Sequence, residues 1–403
     1  MAPKASRSLQ RDLKMKITFV LPTLCLTGGI RVISIFAERL RKRGHEVFVI
    51  SVPHAPASMR QQVKSLLRGR GWISTPENEP SFFENLGVEN KITDRYRPIE
   101  DKDVPDADVV IATWWETAEW VAKLSPSKGA KAYFLQHHEV FDYLPQGRVE
   151  ATWRLPMHKI TISQWLVNLA QTKYDDSQVS LAPPSVDTKQ FYACPRQKQS
   201  VPTIGMMYST IHWKGTDIAL KAFSLAAETI PNLRLVAFGS DAPSPELPLP
   251  ANAEYVIQPD QDKIKDYYSK CDAWLLASRS EGFGLPIIEA MACRTPVIST
   301  PAGAAPEILS GGTGILVRYE DPEEMAKAIE YICHLPNSEW QAISQAAYTK
   351  VVNYTWEDAT EHFEAGLKVA VDKSQQRDVN VVSFSPYAAP EYAAESDKYI
   401  VQV

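Results

Sequence analysis

Apolar residues alternate along this chain between short continuous runs and longer stretches at helical spacing, and their order predicts the architecture. Lys16 to Pro22 is a short run, Thr23 to Gly29 a loop, and Ile30 to Leu40 repeats apolar residues with helical periodicity. Gly44 closes that helix and Glu46 to Val52 reads as a second strand, a strand-loop-helix-strand unit that requires a parallel sheet and a right-handed crossover. Further runs follow at Val109 to Ala112, Ala132 to Leu135 and Ile160 to Ile162, and Ser163 is placed to cap a helix carrying Trp165, Leu166 and Leu169. Between them, His54 to Asp108 shows little periodicity, and long irregular insertions of this kind are usually functional or mobile.

After a segment rich in Pro, Gln and Lys (Ser185 to Pro202) the pattern begins again. Strands are predicted at Thr203 to Met207, Arg234 to Phe238, Ala253 to Ile257, Ala273 to Ala277, Pro296 to Ser299 and Gly314 to Val317. Helices are predicted at Thr216 to Ile230, Gln261 to Lys270 and Pro286 to Ala292, then at Pro322 to Ile332, Ser338 to Val352 and Trp356 to Val371. The expected fold class is α/β, with two Rossmann-like doubly wound domains and the ligand site in the cleft between them, outside the carboxyl ends of the strands. The expected division is a flexible N-terminus (1–14), a first Rossmann-like domain (15–185), a linker (186–202), a second domain (203–353), a helix crossing back to the first (354–374) and a disordered tail (375–403).

The chain's 403 residues suffice for two cores, and 44% hydrophobic with 23% charged side chains places it in the globular class. No window holds a membrane-length apolar run, and the first dozen residues lack the apolar centre of a secretory signal, so the expected location is cytoplasmic. Cys25, Cys194, Cys271, Cys293 and Cys333 show no CxxC spacing and read as buried free thiols. The net charge of -5 hides a basic N-terminal part, where Lys and Arg outnumber Asp12, Glu38 and Glu46 several-fold before Trp72. Two readings stand for it: a peripheral contact with anionic membrane or a phosphate-bearing acceptor, or an ordinary solvated helix surface such as Arg39-Leu40-Arg41-Lys42-Arg43. Nothing points to a nucleic acid.

The densest chemistry lies in Ser278-Arg-Ser-Glu281-Gly-Phe-Gly-Leu-Pro-Ile-Ile-Glu289-Ala-Met-Ala-Cys293. A strand ends, Gly282 and Gly284 make a tight loop exposing backbone N–H groups, and Pro286 takes the first helical position, where its missing donor costs nothing. A helix N-terminus at the tip of a parallel strand suits a diphosphate, and Glu281 and Glu289 can accept from sugar or ribose hydroxyls. This stretch resembles the EGFGLPxxEAMACGxPVI motif of the retaining GT-B glycosyltransferases of the family 4 type, the glycosyl transferases group 1. It matches from Glu281 to Ile298 almost throughout, with Arg294 standing where that family usually has Gly.

The resemblance implies a transferase, retaining and independent of metal, that moves a hexosyl or deoxyhexosyl group from a nucleotide-diphosphate sugar to a hydroxyl of a glycan or lipid-linked acceptor, as in polysaccharide or cell-envelope glycan synthesis. It implies no cofactor beyond that substrate. Glu281 would contact the donor sugar, Phe283, Gly284 and Leu285 with Gly282 would offer the loop's backbone to sugar and phosphate, Glu289 would hold the ribose, and Gly28 and Gly29 would lie under the diphosphate. Lys214, in Trp213-Lys214-Gly215-Thr216-Asp217, would neutralise the leaving diphosphate. The family's partner Arg is absent; Tyr208 and Ser209 stand there instead, so their hydroxyls, or Arg279 from elsewhere, are the candidates to replace it. The irregular stretch from His54 to Asp103 would shape the acceptor side.

At the next strand tip, His137 or His138 is the candidate for positioning or deprotonating the acceptor hydroxyl. Neighbouring residues of an extended segment point to opposite sides, so His137-His138-Glu139 is not read as a metal site. Asp106-Ala-Asp108 precedes a buried strand and is taken as a decoy of the metal-binding DxD motif, while Trp114-Trp115-Glu116 either lines the acceptor side or packs the core. The competing readings are a non-catalytic nucleotide-sugar-binding module, raised by the missing Arg, and another GT-B enzyme such as an epimerase or phosphorylase.

Overall fold

The structure is a computed structural model that describes residues 14–57, 59–69, 71–73 and 81–376. The expected flexible N-terminus and nearly all of the expected disordered tail lie outside the described residues. In chain order the first half contains β1 (Lys16–Leu21), α1 (Gly28–Lys42), β2 (Glu46–Ser51), α2 (Met59–Leu67), β3 (Glu89–Ile92), β4 (Val109–Ala112), α3 (Trp115–Val121), β5 (Ala130–Leu135), α4 (Gln146–Thr152), β6 (His158–Thr161), α5 (Gln164–Tyr174) and β7 (Ser180–Leu181). The second half contains β8 (Thr203–Tyr208), α6 (Thr216–Thr229), β9 (Arg234–Gly239), β10 (Glu254–Ile257), α7 (Ile264–Ser269), β11 (Ala273–Leu276), α8 (Leu285–Ala292), β12 (Val297–Ser299), α9 (Ala305–Ile308), β13 (Ile315–Leu316), α10 (Pro322–His334), α11 (Asn337–Val352) and α12 (Trp356–Ser374).

The strands form two sheets, ordered β3-β2-β1-β4-β5-β6-β7 and β10-β9-β8-β11-β12-β13. The recorded pairings are parallel, β1 with β2 and β4 in the first and β8 with β9 and β11 in the second. Both orders reverse direction beside the first strand, which is the doubly wound arrangement, and strands covered on both faces are apolar throughout. Thus β4 reads VVIA and β11 AWLL, every residue buried. In the second sheet Ile204, Met206, Leu235, Leu275 and Ile298 pack against Phe223 and Ile329 of the flanking helices α6 and α10.

The irregular stretch between β2 and β4 is corrected in part: its described residues hold α2 and β3. β3 is an exposed edge strand of sequence ENKI, without the apolar alternation that would announce it.

The chain divides into two compact units. The first gathers the residues up to Phe134, Glu139–Lys159 and the chain from Glu364; the second gathers Leu135–His138 and Ile160–Phe363. The second unit thus takes in residues 160–185. Within the first unit, Glu364 of α12 accepts from Arg43 at 2.7 Å and pairs with Lys368 at 2.6 Å and with His45 at 3.6 Å. The His45 hydrogen bond, Lys368 and Arg43 together hold the Glu364 carboxyl far below the usual carboxylate range.

Candidate active site

In the second unit, the crevice beside β8 lies where the sheet order reverses, and the loops following β8 and β11 meet there. Gly215 is what allows the meeting. Its backbone is left-handed (φ +66°), and a Cβ placed on it would stand 1.9 Å from the Ala277 carbonyl oxygen at the end of β11. The Trp213 carbonyl then accepts from the Arg279 amide at 2.8 Å, and the Arg279 guanidinium donates to the His212 carbonyl at 2.7 Å.

This docking carries Lys214 to Glu281. The ammonium donates to Glu281 Oε1 at 2.8 Å, and the Ser278 hydroxyl donates to the same oxygen at 2.8 Å. Both members are largely shielded, with side chains 25% and 11% exposed. Gly303 (φ +63°) lies close against the loop, since its Cβ would fall 2.8 Å from Glu281 Cβ, and the Ala304 amide donates to the Phe283 carbonyl at 3.0 Å.

Gly282 is required by a second close approach: a Cβ there would sit 1.8 Å from the Gln136 carbonyl oxygen. Its own carbonyl accepts from Trp165 Nε1 at 2.8 Å and from the Ser163 hydroxyl at 3.2 Å. Ser163 is the N-cap residue of α5, as predicted, but its side chain makes no cap hydrogen bond. Gly284 (φ +95°) is the N-cap of α8 and Leu285 the first helical residue. Pro286 is therefore second rather than first, still within the turn whose N–H groups have no helical acceptor. Glu289 is buried in α8, where its carboxylate accepts from the Tyr268 hydroxyl at 2.9 Å.

The two histidines separate. His137 Nε2 lies 2.9 Å from Ser280 Oγ and its ring packs edge-on against Trp165. Burial first, then the charges of His138 and Lys214, lower its pKa to about 4, so the imidazole is neutral at physiological pH. His138 turns instead to the Tyr174 hydroxyl of α5 at 2.7 Å. The next residue, Glu139, is buried in a left-handed conformation (φ +62°) and accepts from the Trp115 amide at 3.0 Å. Burial pushes its carboxyl well above the usual range.

The candidates to replace the absent Arg find other partners. Tyr208 is buried, its hydroxyl donating to the Leu247 carbonyl at 2.9 Å and accepting from the Ser244 amide at 2.8 Å. The Ser209 hydroxyl accepts from the Ile211 amide at 3.2 Å. Arg279 binds both carboxylate oxygens of Asp217, both of Glu320 and the His212 carbonyl, which uses all five guanidinium donors. Arg279 here serves as a tie between loops.

In the first unit, Gly28 and Gly29 open α1 behind the N-cap residue Thr27, with no acidic residue in the first turn. Asp108 accepts from the Lys16 amide at 2.6 Å and Asp106 pairs with Lys128 at 2.9 Å, so both pin strand ends. Trp115 is buried under Arg148, and Trp114 is the N-cap of α3. Among the described residues no group of three or more His, Cys, Asp or Glu side chains could hold a metal. Of the cysteines, Cys271 and Cys293 are buried but Cys194 is exposed, which corrects the expectation that all are buried.

Ser278, Ser280, Tyr268, Trp165 and the 300–304 loop were not legible as parts of the site. Each acts through a tertiary contact, and only Gly282 carried a sequence signal of one.

Residues 195–350 match the family described as Glycosyl transferases group 1. D-inositol 3-phosphate glycosyltransferase of Mycobacterium leprae is 26% identical over 219 residues, which are 49% of this chain and 50% of that protein. The chain thus spans about half the length of that curated relative. Among solved structures, HepE of Anabaena in complex with UDP superposes with a TM-score of 0.69 at 17% identity, covering 88% of this chain and 100% of that one. Sucrose-phosphate synthase from Thermosynechococcus elongatus gives 0.59 at 17% identity, covering 87% and 98%. The fold is shared with these proteins: two parallel-sheet, Rossmann-like α/β domains of the GT-B kind.

Proposed function

We infer that this chain, with a glycosyl transferases group 1 match over residues 195–350 and a GT-B fold, transfers a glycosyl group from a nucleoside diphosphate sugar to a hydroxyl acceptor. The observation that carries the reading is the shielded Lys214–Glu281 pair at the crevice of the second sheet, inside the matched segment. Such a pair is poised to exchange partners. A diphosphate takes the ammonium, and the released carboxylate, still held by Ser278, accepts from hydroxyls of the donor sugar.

The backbone of Gly282, Phe283, Gly284 and Leu285 at the start of α8 lies at its positive end, where charge developing on the leaving diphosphate is stabilised. Glu289, oriented by Tyr268, accepts from ribose hydroxyls. In the proposed retaining reaction the bond from the anomeric carbon to the phosphate oxygen breaks as the bond to the acceptor oxygen forms on the same face. The acceptor proton passes to the departing phosphate oxygen. Neutral His137 positions the acceptor by hydrogen bonding rather than by charge. A glycan or lipid-linked acceptor at the cytoplasmic side of an envelope is the proposed setting. HepE has been solved with UDP and with UDP-glucose, which makes uridine the first nucleotide to try.

The test is a thermal-shift panel of UDP, GDP, ADP and dTDP with their sugars on the wild type and Glu289→Ala, followed by turnover. One nucleotide is expected to raise the melting temperature, with the shift lost in the variant. Lys214→Ala and Glu281→Gln are each expected to lower turnover by about a hundredfold or more, the scale for removing one stabiliser of developing charge. The product is expected to keep the donor's anomeric configuration, and EDTA to leave the rate unchanged. No shift with any nucleotide, or near-normal turnover in Lys214→Ala, refutes the assignment.

A further inference from the structure

In the first unit, α2 is folded inside out. Its buried residues include polar Gln62 (4% exposed) and Ser65. Gln62 exchanges two hydrogen bonds with the backbone of Ile73, at 2.9 and 2.8 Å, and the Ser65 hydroxyl donates to the Gly71 carbonyl at 2.7 Å. The apolar residues point the other way. Leu67 is 83% exposed, Met59 70%, and Val63 and Leu66 about half.

At about 100° per residue these four occupy one continuous arc of roughly 100°. The adjoining arc holds Arg60, Lys64 and Arg68, one turn apart, all exposed and with no carboxylate partner among the described residues. Trp72, also exposed, follows the helix. An ordinary surface helix buries its apolar stripe; here polar anchors fix the helix by its backbone-facing side and leave the apolar stripe uncovered by the described residues.

We propose that α2 is a membrane-docking helix that lays Met59, Val63, Leu66 and Leu67 into the interface of an anionic phospholipid bilayer, with Arg60, Lys64 and Arg68 on the headgroups. The charge selects the occupant. Three cations without a carboxylate partner among the described residues lie beside an apolar stripe, with no acid in the helix, and match a lipid leaflet of negative charge; Trp72, exposed a few residues on, is of a type suited to the headgroup level. Among the described residues no helix is long and apolar enough to cross a membrane, so the contact is one that lies on the surface.

The experiment is co-sedimentation of the full chain with vesicles of phosphatidylglycerol and phosphatidylcholine, or of phosphatidylcholine alone. The wild type is expected to bind the anionic vesicles, less at high salt, and to bind phosphatidylcholine weakly. Val63→Glu with Leu67→Glu should lower partition about tenfold or more, from the lost apolar insertion. Replacing the three cations by Ser should lower it roughly a hundredfold, at about fivefold per cation. These positions are exposed, so equal urea midpoints establish that each variant is folded. Absence of binding to anionic vesicles at low salt, equal binding to both vesicle types, or variants that bind like the wild type overturns the proposal. Self-association abolished by Leu67→Glu, without vesicle binding, assigns the face to a second copy and overturns it as well. Nucleotide thermal shifts are expected to be the same in all variants, so this outcome is independent of the transferase reading.

Discussion

Gly215→Ala separates the cost of a strained backbone from the cost of a blocked approach. The residue has φ +66°, and the added methyl would lie 1.9 Å from the Ala277 carbonyl oxygen. Placing alanine in the left-handed region costs about 1 kcal/mol. Forcing the loop away from β11 adds about 1–3 kcal/mol, the usual scale for overpacking. Gly311→Ala is the control in the same unit: its φ is +76°, but nothing lies within 4 Å of the new methyl. It should cost only the backbone share.

Urea denaturation of both variants reads the difference, provided the slopes agree, with Gly215→Ala the less stable by about 1–3 kcal/mol. Because the displaced loop carries Lys214, Gly215→Ala should also weaken the nucleotide thermal shift, while Gly311→Ala should leave it intact. Equal midpoints for the two variants refute the argument from close approach, and a normal nucleotide shift in Gly215→Ala refutes the link to Lys214.

The pH dependence of stability follows from His137. Its pKa is lowered from 6.5 to about 4, so between these values the unfolded chain binds the proton and the folded one does not; stability falls as pH drops through this window. Between pH 7.5 and 4.5 the loss from this group is about 2.5 kcal/mol, and comparing His137→Gln with the wild type by urea denaturation at both pH values checks it. Arg294→Gly gains about 1 kcal/mol by relieving a φ of +58° but removes the guanidinium from Gln345 Oε1 (2.7 Å), the Ala193 carbonyl (3.1 Å) and the Tyr348 ring. Those losses, about 1–3 kcal/mol for hydrogen bonds to a charged group and about 1 for the ring, outweigh the gain, so a lowered urea midpoint is expected and a raised one contradicts the balance.

Most strands were legible because a parallel sheet covered on both faces demands unbroken apolar runs, and VVIA or AWLL can hardly be read otherwise. β3 was not, because an exposed edge strand has no such demand. The loop from Glu281 to Leu285 announced itself through Gly282 and Gly284, whose positions the backbone fixes. What remained hidden were pairings between distant segments. Nothing in the local sequence says that Arg279 spends all its donors on Asp217, Glu320 and the His212 carbonyl, or that Tyr208 faces the 244–247 turn. The choice between His137 and His138 likewise depended on where Ser280 and Tyr174 stand in three dimensions. α2 was not read as a helix at all, because the stretch from His54 to Asp108 shows little periodicity.

Arg294 also bears on how such a sequence can change. The position follows the last turn of α8 in a left-handed conformation, where glycine is the undemanding occupant. An arginine there is tolerable only while Gln345, Tyr348 and the Ala193 carbonyl are in reach, and the Arg294 carbonyl itself accepts from Ser344 of α11 at 2.8 Å. Once those contacts exist, glycine ceases to be neutral at this site, and the order in which substitutions arise begins to matter. The residue is entrenched: its reversal becomes harmless only after α11 has drifted, so descendants of this chain should change positions 345 and 348 before they lose the arginine.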